Sequence, residues 1–172
     1  MSRIIYYVAS SLDGFIADEN GGVAWLDDFS GQSDFGYAEF VAGVDALLMG
    51  RRTYEQVRGF GEWPYAGKAV RVWTRRPLED APELVSAVAG PAGQVARGLA
   101  VEGFRRVWLV GGAELAEALR REGLIDEWIV SVIPRSLGAG VPLFGGVETG
   151  LAVSEVRSFP GPLLQLHMTS TR

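Results

Sequence analysis

Short apolar runs alternate with helical patterns along most of this chain, and that alternation constrains the fold more than any other feature. Ile4-Ile5-Tyr6-Tyr7-Val8-Ala9 is a β-branched and aromatic run bounded by Ser10-Ser11, which reads as a buried strand. Val44 to Met49 is the next strand; Gly50 ends it, and Arg51-Arg52-Thr53-Tyr54-Glu55 opens a helix. Lys68 to Thr74 is a third strand, closed by Arg75-Arg76-Pro77, and a short strand is expected at 84–88. Pro91 suits the first turn of a helix running to about Glu102. Arg106 to Val110 is a strand, followed by Gly111-Gly112 and a helix from Ala113 to Arg121 that Gly123 stops. Glu127 to Ile133 is a strand, and two late strands near 151–159 and 163–170 pair antiparallel. Strands that alternate with helices require crossover connections and a largely parallel sheet. The expected class is therefore α/β: a mostly parallel central sheet flanked by helices, with an antiparallel C-terminal hairpin.

Between the first two strands, residues 10–31 carry Asp13-Gly14, Asn20-Gly21-Gly22 and Ser30-Gly31, the mark of a long loop with brief ordered pieces. Loops of that length in a small domain are functional or disordered. Ser33 or Asp34 is expected to cap a helix through about Ala42. With 172 residues, no internal repeat and no low-complexity linker, residues 1–172 read as one domain.

Ligands of open parallel sheets lie beyond the carboxyl ends of the strands. That rule gathers Ala9, Met49-Gly50-Arg51, Thr74-Arg75-Arg76, Val110-Gly111-Gly112 and Ser131 around one site. The charge pattern points to the same rim. The chain is acidic, at a formal −5, which argues against nucleic acid as a partner. Yet residues 50–76 hold seven basic residues (Arg51, Arg52, Arg58, Lys68, Arg71, Arg75, Arg76) against Glu55 and Glu62, a local +5. A small basic island in an acidic chain suits a small anionic ligand.

Each turn has two readings. Gly111-Gly112 before a helix is either a plain tight turn or a place where a ligand approaches the backbone and meets free helix N–H groups. It is not the G-x-G-x-x-G fingerprint. Arg51-Arg52 are either solvated first-turn residues or phosphate partners at a position the helix dipole disfavours for cations. Thr74-Arg75-Arg76 is either a surface loop or a reader of a 2′-phosphate. Asp34 is either a helix cap or a carboxylate placed to assist proton transfer. Asp13 reads as a turn residue and His167 as structural. The five tryptophans form no stripe and read as core or rim.

Composition limits the chemistry. There is no cysteine and one histidine, which excludes thiolate nucleophiles, disulfides and cysteine-ligated metals. The first residues, MSRIIYYVASSLDG, lack the apolar core of about 7–15 residues of a signal peptide, and no run reaches the roughly 18 apolar residues of a membrane span. A cytoplasmic protein without membrane partners is expected.

Three blocks, Ala9-Ser10-Ser11-Leu12-Asp13-Gly14-Phe15-Ile16-Ala17, Met49-Gly50-Arg51-Arg52-Thr53-Tyr54-Glu55 and Val110-Gly111-Gly112-Ala113-Glu114-Leu115, together resemble the dihydrofolate reductase superfamily. Leu124-Ile125-Asp126-Glu127-Trp128 and the run Ile133-Pro134-Arg135-Ser136-Leu137-Gly138-Ala139-Gly140-Val141-Pro142-Leu143-Phe144 sharpen the resemblance. They point to the reductase domain of bacterial riboflavin-biosynthesis deaminase-reductases and its stand-alone relatives. The resemblance spans nearly the whole chain.

It implies an NADPH-dependent reductase, most closely of the 5-amino-6-(5-phosphoribosylamino)uracil type, acting as a homodimer. Ala9, Ile16 and Ala17 would line the nicotinamide pocket. Gly50, Arg51, Arg52 and Thr53 would hold the pyrophosphate, and Thr74, Arg75 and Arg76 the 2′-phosphate. Val110, Gly111, Gly112, Ala113, Glu114 and Leu115 would pass beneath the cofactor. Asp34, as substrate ligand and proton handler, would be joined on the substrate side by Lys68 and Ser131. Lys68 stands where folate enzymes carry arginine, and the loop from Trp25 to Asp34 is a few residues longer than in those enzymes. No zinc-binding deaminase motif is present, so this chain alone would not perform both riboflavin steps. The other readings are a true dihydrofolate reductase, a non-catalytic nucleotide binder and, last, a flavodoxin-like FMN binder, which would require a Ser/Thr-rich phosphate loop that the first turn lacks.

Overall fold

The alternation of strand and helix closes into one eight-stranded sheet with helices on both faces. The computed structural model describes residues 1–29, 31, 33–159 and 163–171. In chain order the elements are β1 (Arg3–Ser11), β2 (Phe15–Ala17), a 3-10 helix (Ala24–Phe29), α1 (Tyr37–Ala42), β3 (Ala46–Gly50), α2 (Arg51–Gly59), β4 (Ala69–Trp73) and β5 (Val85–Val88). They continue with α3 (Ala92–Val101), β6 (Arg106–Gly111), α4 (Ala113–Arg121), β7 (Glu127–Ile133), β8 (Val141–Pro142), β9 (Leu151–Ser158) and β10 (Leu164–Ser170). The sheet order is β5-β4-β3-β6-β1-β7-β10-β9. The six strands from β5 to β7 are parallel, and β10 and β9 complete the sheet antiparallel.

Strict alternation along the strands makes two cores. Ile4, Tyr6, Leu48, Leu109, Trp128 and Val130 face α3 and α4. Ile5, Leu47, Met49, Val72, Trp108 and Ile129 face α1 and α2. The central strands are buried on both sides, so they read as continuous apolar runs. The amino rim of the sheet is stitched by side chains to backbone. Asp45 accepts from the Arg105 and Arg106 N–H groups, both at 2.8 Å, Asp126 accepts from Ile4 N–H at 2.8 Å, and Lys68 Nζ donates to the Val44 carbonyl at 2.7 Å.

Two features differ from the sequence expectation. The helix expected from Ser33 or Asp34 begins at Tyr37, because Phe35 and Gly36 both take positive φ and the Asp34 carboxylate caps that turn instead. A second, two-stranded sheet joins β2 to β8, giving order to part of the expected long loop. Three-residue and two-residue strands are too short to carry a periodic signal.

That small sheet is held by a clasp. Asp13 accepts from the hydroxyls of Ser11 (2.6 Å) and Ser136 (2.7 Å) and from the N–H groups of Leu137 and Gly138. Those donors hold its carboxyl well below the usual carboxylate range. Gly140, with φ 151, passes so close to the Ala17 carbonyl that a Cβ would collide with it. Among the described residues no helix is long and apolar enough to cross a membrane.

Asp13→Asn is expected to lower stability at neutral pH. The wild-type carboxyl is depressed in the folded state, so its contribution is present above the ordinary carboxylate value and disappears as pH falls through the folded one. Thermal unfolding of both proteins across the acid range should show their midpoints converging; a constant gap would contradict the assignment.

Candidate functional site

Two helices begin at the carboxyl ends of neighbouring parallel strands, and neither has a side-chain cap. Gly50 precedes α2 and Gly112 precedes α4. Gly112 takes φ 97, and a Cβ on it would lie 3.3 Å from the Gly50 backbone. Only glycine permits this approach. The result is a pair of helix N-termini, side by side, with free first-turn N–H groups suited to an anion.

Three cavities run along this rim and share lining residues. The first, of about 580 Å³, lies over β4, β3 and the start of α4. Gly50, Thr74, Arg75, Arg76, Glu114 and Leu115 line it, with Trp73 and Gly90 as its far wall, closed by the Trp73 indole N–H donating to the Gly90 carbonyl at 2.9 Å. Arg51 also lines it, but its guanidinium is engaged by Glu55 and by the carbonyls of Arg76 and Pro77, so it ties the arginine loop to α2. Arg52 is exposed and makes no side-chain hydrogen bond or ion pair among the described residues, as do Arg75 and Arg76. The Thr74 hydroxyl accepts from the Arg76 N–H at 3.1 Å, which turns the loop back over the cavity.

The middle cavity, of about 490 Å³, is shared through Arg52, Gly112 and Ala113. Ala9, Ile16, Ala17, Thr53, Val110 and Gly111 line it. The turn at Asn20-Gly21 reaches over it, held by Gln56 donating to the Gly21 carbonyl at 3.3 Å. The third cavity, of about 300 Å³, continues past Ala9 and is mostly aromatic and apolar: Tyr7, Phe29, Phe35, Tyr37 and Trp108, with Ser131. Trp108 anchors this end, with edge contacts to Tyr37, Phe40 and Tyr65.

The trough therefore runs from a cationic end, through two uncapped helix starts, to an apolar ring-lined end. Every residue that the resemblance assigns to cofactor lines the first or middle cavity. Ser131 lines the third. Asp34 stands beside it, exposed, with its carboxylate accepting from Gly36 and Ala38 N–H at 3.0 and 3.2 Å. Lys68 is not brought to the trough: it precedes β4 at the amino rim and is spent on the Val44 carbonyl.

Sequence reasoning passed over Tyr7, Tyr37, Trp108 and Gln165. Tyr7 was legible: alternation along β1 puts it on the face of Ala9, one residue pair from the carboxyl end. Gln165 was not, because only the β10–β7 register places it opposite Ser131.

Residues 92–160 match the family model of the RibD C-terminal domain. The uncharacterized protein YwjB of Bacillus subtilis (strain 168) is 39% identical over 168 residues, 96% of this chain and 96% of that protein. A Shewanella sp. PV-4 protein named for riboflavin biosynthesis has a crystal structure that superposes with a TM-score of 0.87 at 31% identity, over 99% of both chains. The diaminohydroxyphosphoribosylaminopyrimidine deaminase/5-amino-6-(5-phosphoribosylamino)uracil reductase of Thermotoga maritima shares the fold, with a TM-score of 0.76 at 17% identity over 99% of this chain and 57% of that one. On these likenesses the chain belongs to the RibD C-terminal domain family, a riboflavin-pathway, reductase-like family.

Proposed function

We propose that this protein is an NADPH-dependent reductase of a ribosylamino-pyrimidine phosphate, converting the ribosylamino group to the ribitylamino form. The observation that carries this reading is the continuous trough along the carboxyl rim, cationic at one end and aromatic at the other. Its residues fit a phosphorylated dinucleotide. Arg75, Arg76 and Thr74 offer donors for a 2′-phosphate, and the N–H groups that follow Gly50 and Gly112 face a pyrophosphate. The nicotinamide end lies among Ala9, Ile16 and Ala17, where β2 shields it.

Bound there, NADPH supplies the hydride, so the chain needs no nucleophile and its lack of cysteine is no handicap. The protein's own part is orientation and proton handling. Tyr37, Phe35 and Trp108 form walls for a flat heterocycle in the third cavity. Asp34, next in the chain to Phe35 of that cavity's lining, delivers a proton directly or through a water it orders. The absence of Lys68 from the trough favours a pyrimidine over a folate, whose glutamate tail needs a cation.

Arg75→Ala combined with Arg76→Ala is expected to weaken NADPH binding by roughly a hundredfold while leaving NADH nearly unchanged, since each charge-assisted bond contributes about 1.5–3 kcal/mol and these sites are exposed. Titration with both cofactors checks this, and equal losses would show that these arginines do not read the 2′-phosphate. Asp34→Asn keeps a carbonyl for the α1 turn and is expected to lower turnover roughly a hundredfold with NADPH affinity retained. Steady-state kinetics decides; unchanged turnover removes Asp34 from the reaction, and brisk reduction of dihydrofolate by the wild type would replace the pyrimidine reading.

The protein is further proposed to pair with itself through β9, an edge strand whose Val153 and Val156 are 57% and 56% exposed. Light scattering should give twice 18.6 kDa. A mass equal to one chain at working concentration would sink the dimer.

A further inference from the structure

One row of polar side chains crosses three strands, β7, β10 and β9, on the α1 face of the sheet, and it meets Ala9 of β1 at the third cavity. Register places Ala9 beside Ser131, Ser131 beside Gln165, and Gln165 beside Arg157; one pair along, His167 lies beside Glu155. Gln165 is 2% exposed and Ser131 5%. The Gln165 amide nitrogen lies 3.1 Å from both Tyr7 Oη and Ser131 Oγ, and its carbonyl oxygen lies 2.8 Å from His167 Nε2. With the amide carbonyl, which only accepts, turned to the imidazole, His167 donates from Nε2. The amide nitrogen only donates, so Tyr7 and Ser131 must accept from it. The Tyr7 oxygen thus receives a proton from the Gln165 amide, and Tyr7 lines the third cavity, where its own hydrogen can meet a ligand.

We propose that His167 and Gln165 are positioning residues that fix the direction of this relay, and that Tyr7 is thereby a one-way hydrogen-bond donor selecting a ligand atom that accepts, such as the carbonyl oxygen or an unprotonated ring nitrogen of a pyrimidine. This rests on the third cavity being the substrate end of the trough. Burial is the largest cause and raises the Tyr7 phenol above its ordinary value, outweighing the lowering effect of the side-chain hydrogen bond from Gln165. Tyr7 thus keeps the proton it offers. Burial and Arg157 lower His167, against the opposing charges of Glu155 and Glu127, which favours the neutral imidazole. A ligand presenting an N–H or ammonium at this point would face a donor with nothing to receive it, and would be rejected.

The chain has a single histidine, so nitrogen-15 spectra of the imidazole read this site alone. The expected result is the neutral tautomer protonated on Nε2. The Nδ1-protonated tautomer would overturn the proposal, because Nε2 would then accept, the amide would turn over, and the Tyr7 proton would be drawn onto Gln165. In kinetics with the ribosylamino-pyrimidine phosphate, Tyr7→Phe keeps the ring contacts and is expected to lower kcat/KM roughly tenfold, with NADPH affinity unchanged. Gln165→Met removes the relay at similar size, whereas Gln165→Glu reverses it by accepting from Tyr7. The Glu variant is therefore expected to be the more impaired of the two. Equal impairment of these folded variants would reduce Gln165 to packing and overturn the relay. Should the wild type show no turnover, the reductase reading fails while the tautomer measurement still decides the relay; if the variants do not fold, the same spectrum decides alone.

Discussion

The contact between the Gly50 and Gly112 backbones governs how the rest of the molecule is arranged. Two parallel neighbours, β3 and β6, end at the same height, and each turns at once into a helix. A side chain at Gly112 would crowd the Gly50 backbone and strain the positive φ there. With glycine at both places, α2 and α4 converge on one point from opposite faces of the sheet. Their unmet N–H groups then form a single positive patch between the cationic and the aromatic cavities. The order of the three cavities follows from the order of the strands, β4, β3, β6 and β1, along that rim.

The second organising element is the Asp13 clasp. One carboxylate joins the turn after β1 to the segment after β7, and so holds β2 and β8 together over the middle cavity. It explains why Ser136, Leu137, Gly138 and Gly140 occur as a block although none of them lines the trough: the block is a receiver for Asp13 and a close-packed neighbour of Ala17. A residue that reads from sequence as an ordinary turn aspartate thus positions the cavity roof.

The parallel sheet was legible because its strands are buried on both faces and its helices carry end signals. Arg51-Arg52, Thr74-Arg75-Arg76 and Gly111-Gly112 could be placed on one rim because strand polarity alone puts them there. What escaped depended on register or on loops. The β2–β8 pair is too short to show periodicity. The late start of α1 comes from positive φ at Phe35, a residue with no sequence tendency toward it. Lys68 could be aligned by resemblance, but it stands at the amino end of β4, on the rim opposite the trough, with a backbone carbonyl as its partner. The polar row through Gln165 needed the antiparallel pairing of β10 with β7 before its members could be seen as neighbours.

The stitched amino rim has a consequence of its own. Asp45, Asp126 and Lys68 occupy backbone groups there that would otherwise need loops of particular shape. Anchorage and chemistry are thereby assigned to opposite edges of one sheet. A change at the first edge registers as altered cohesion, and a change at the second as altered selectivity, with little crossover between them. Such a scaffold can exchange the walls of its aromatic cavity for a different heterocycle while its strand frame stays intact.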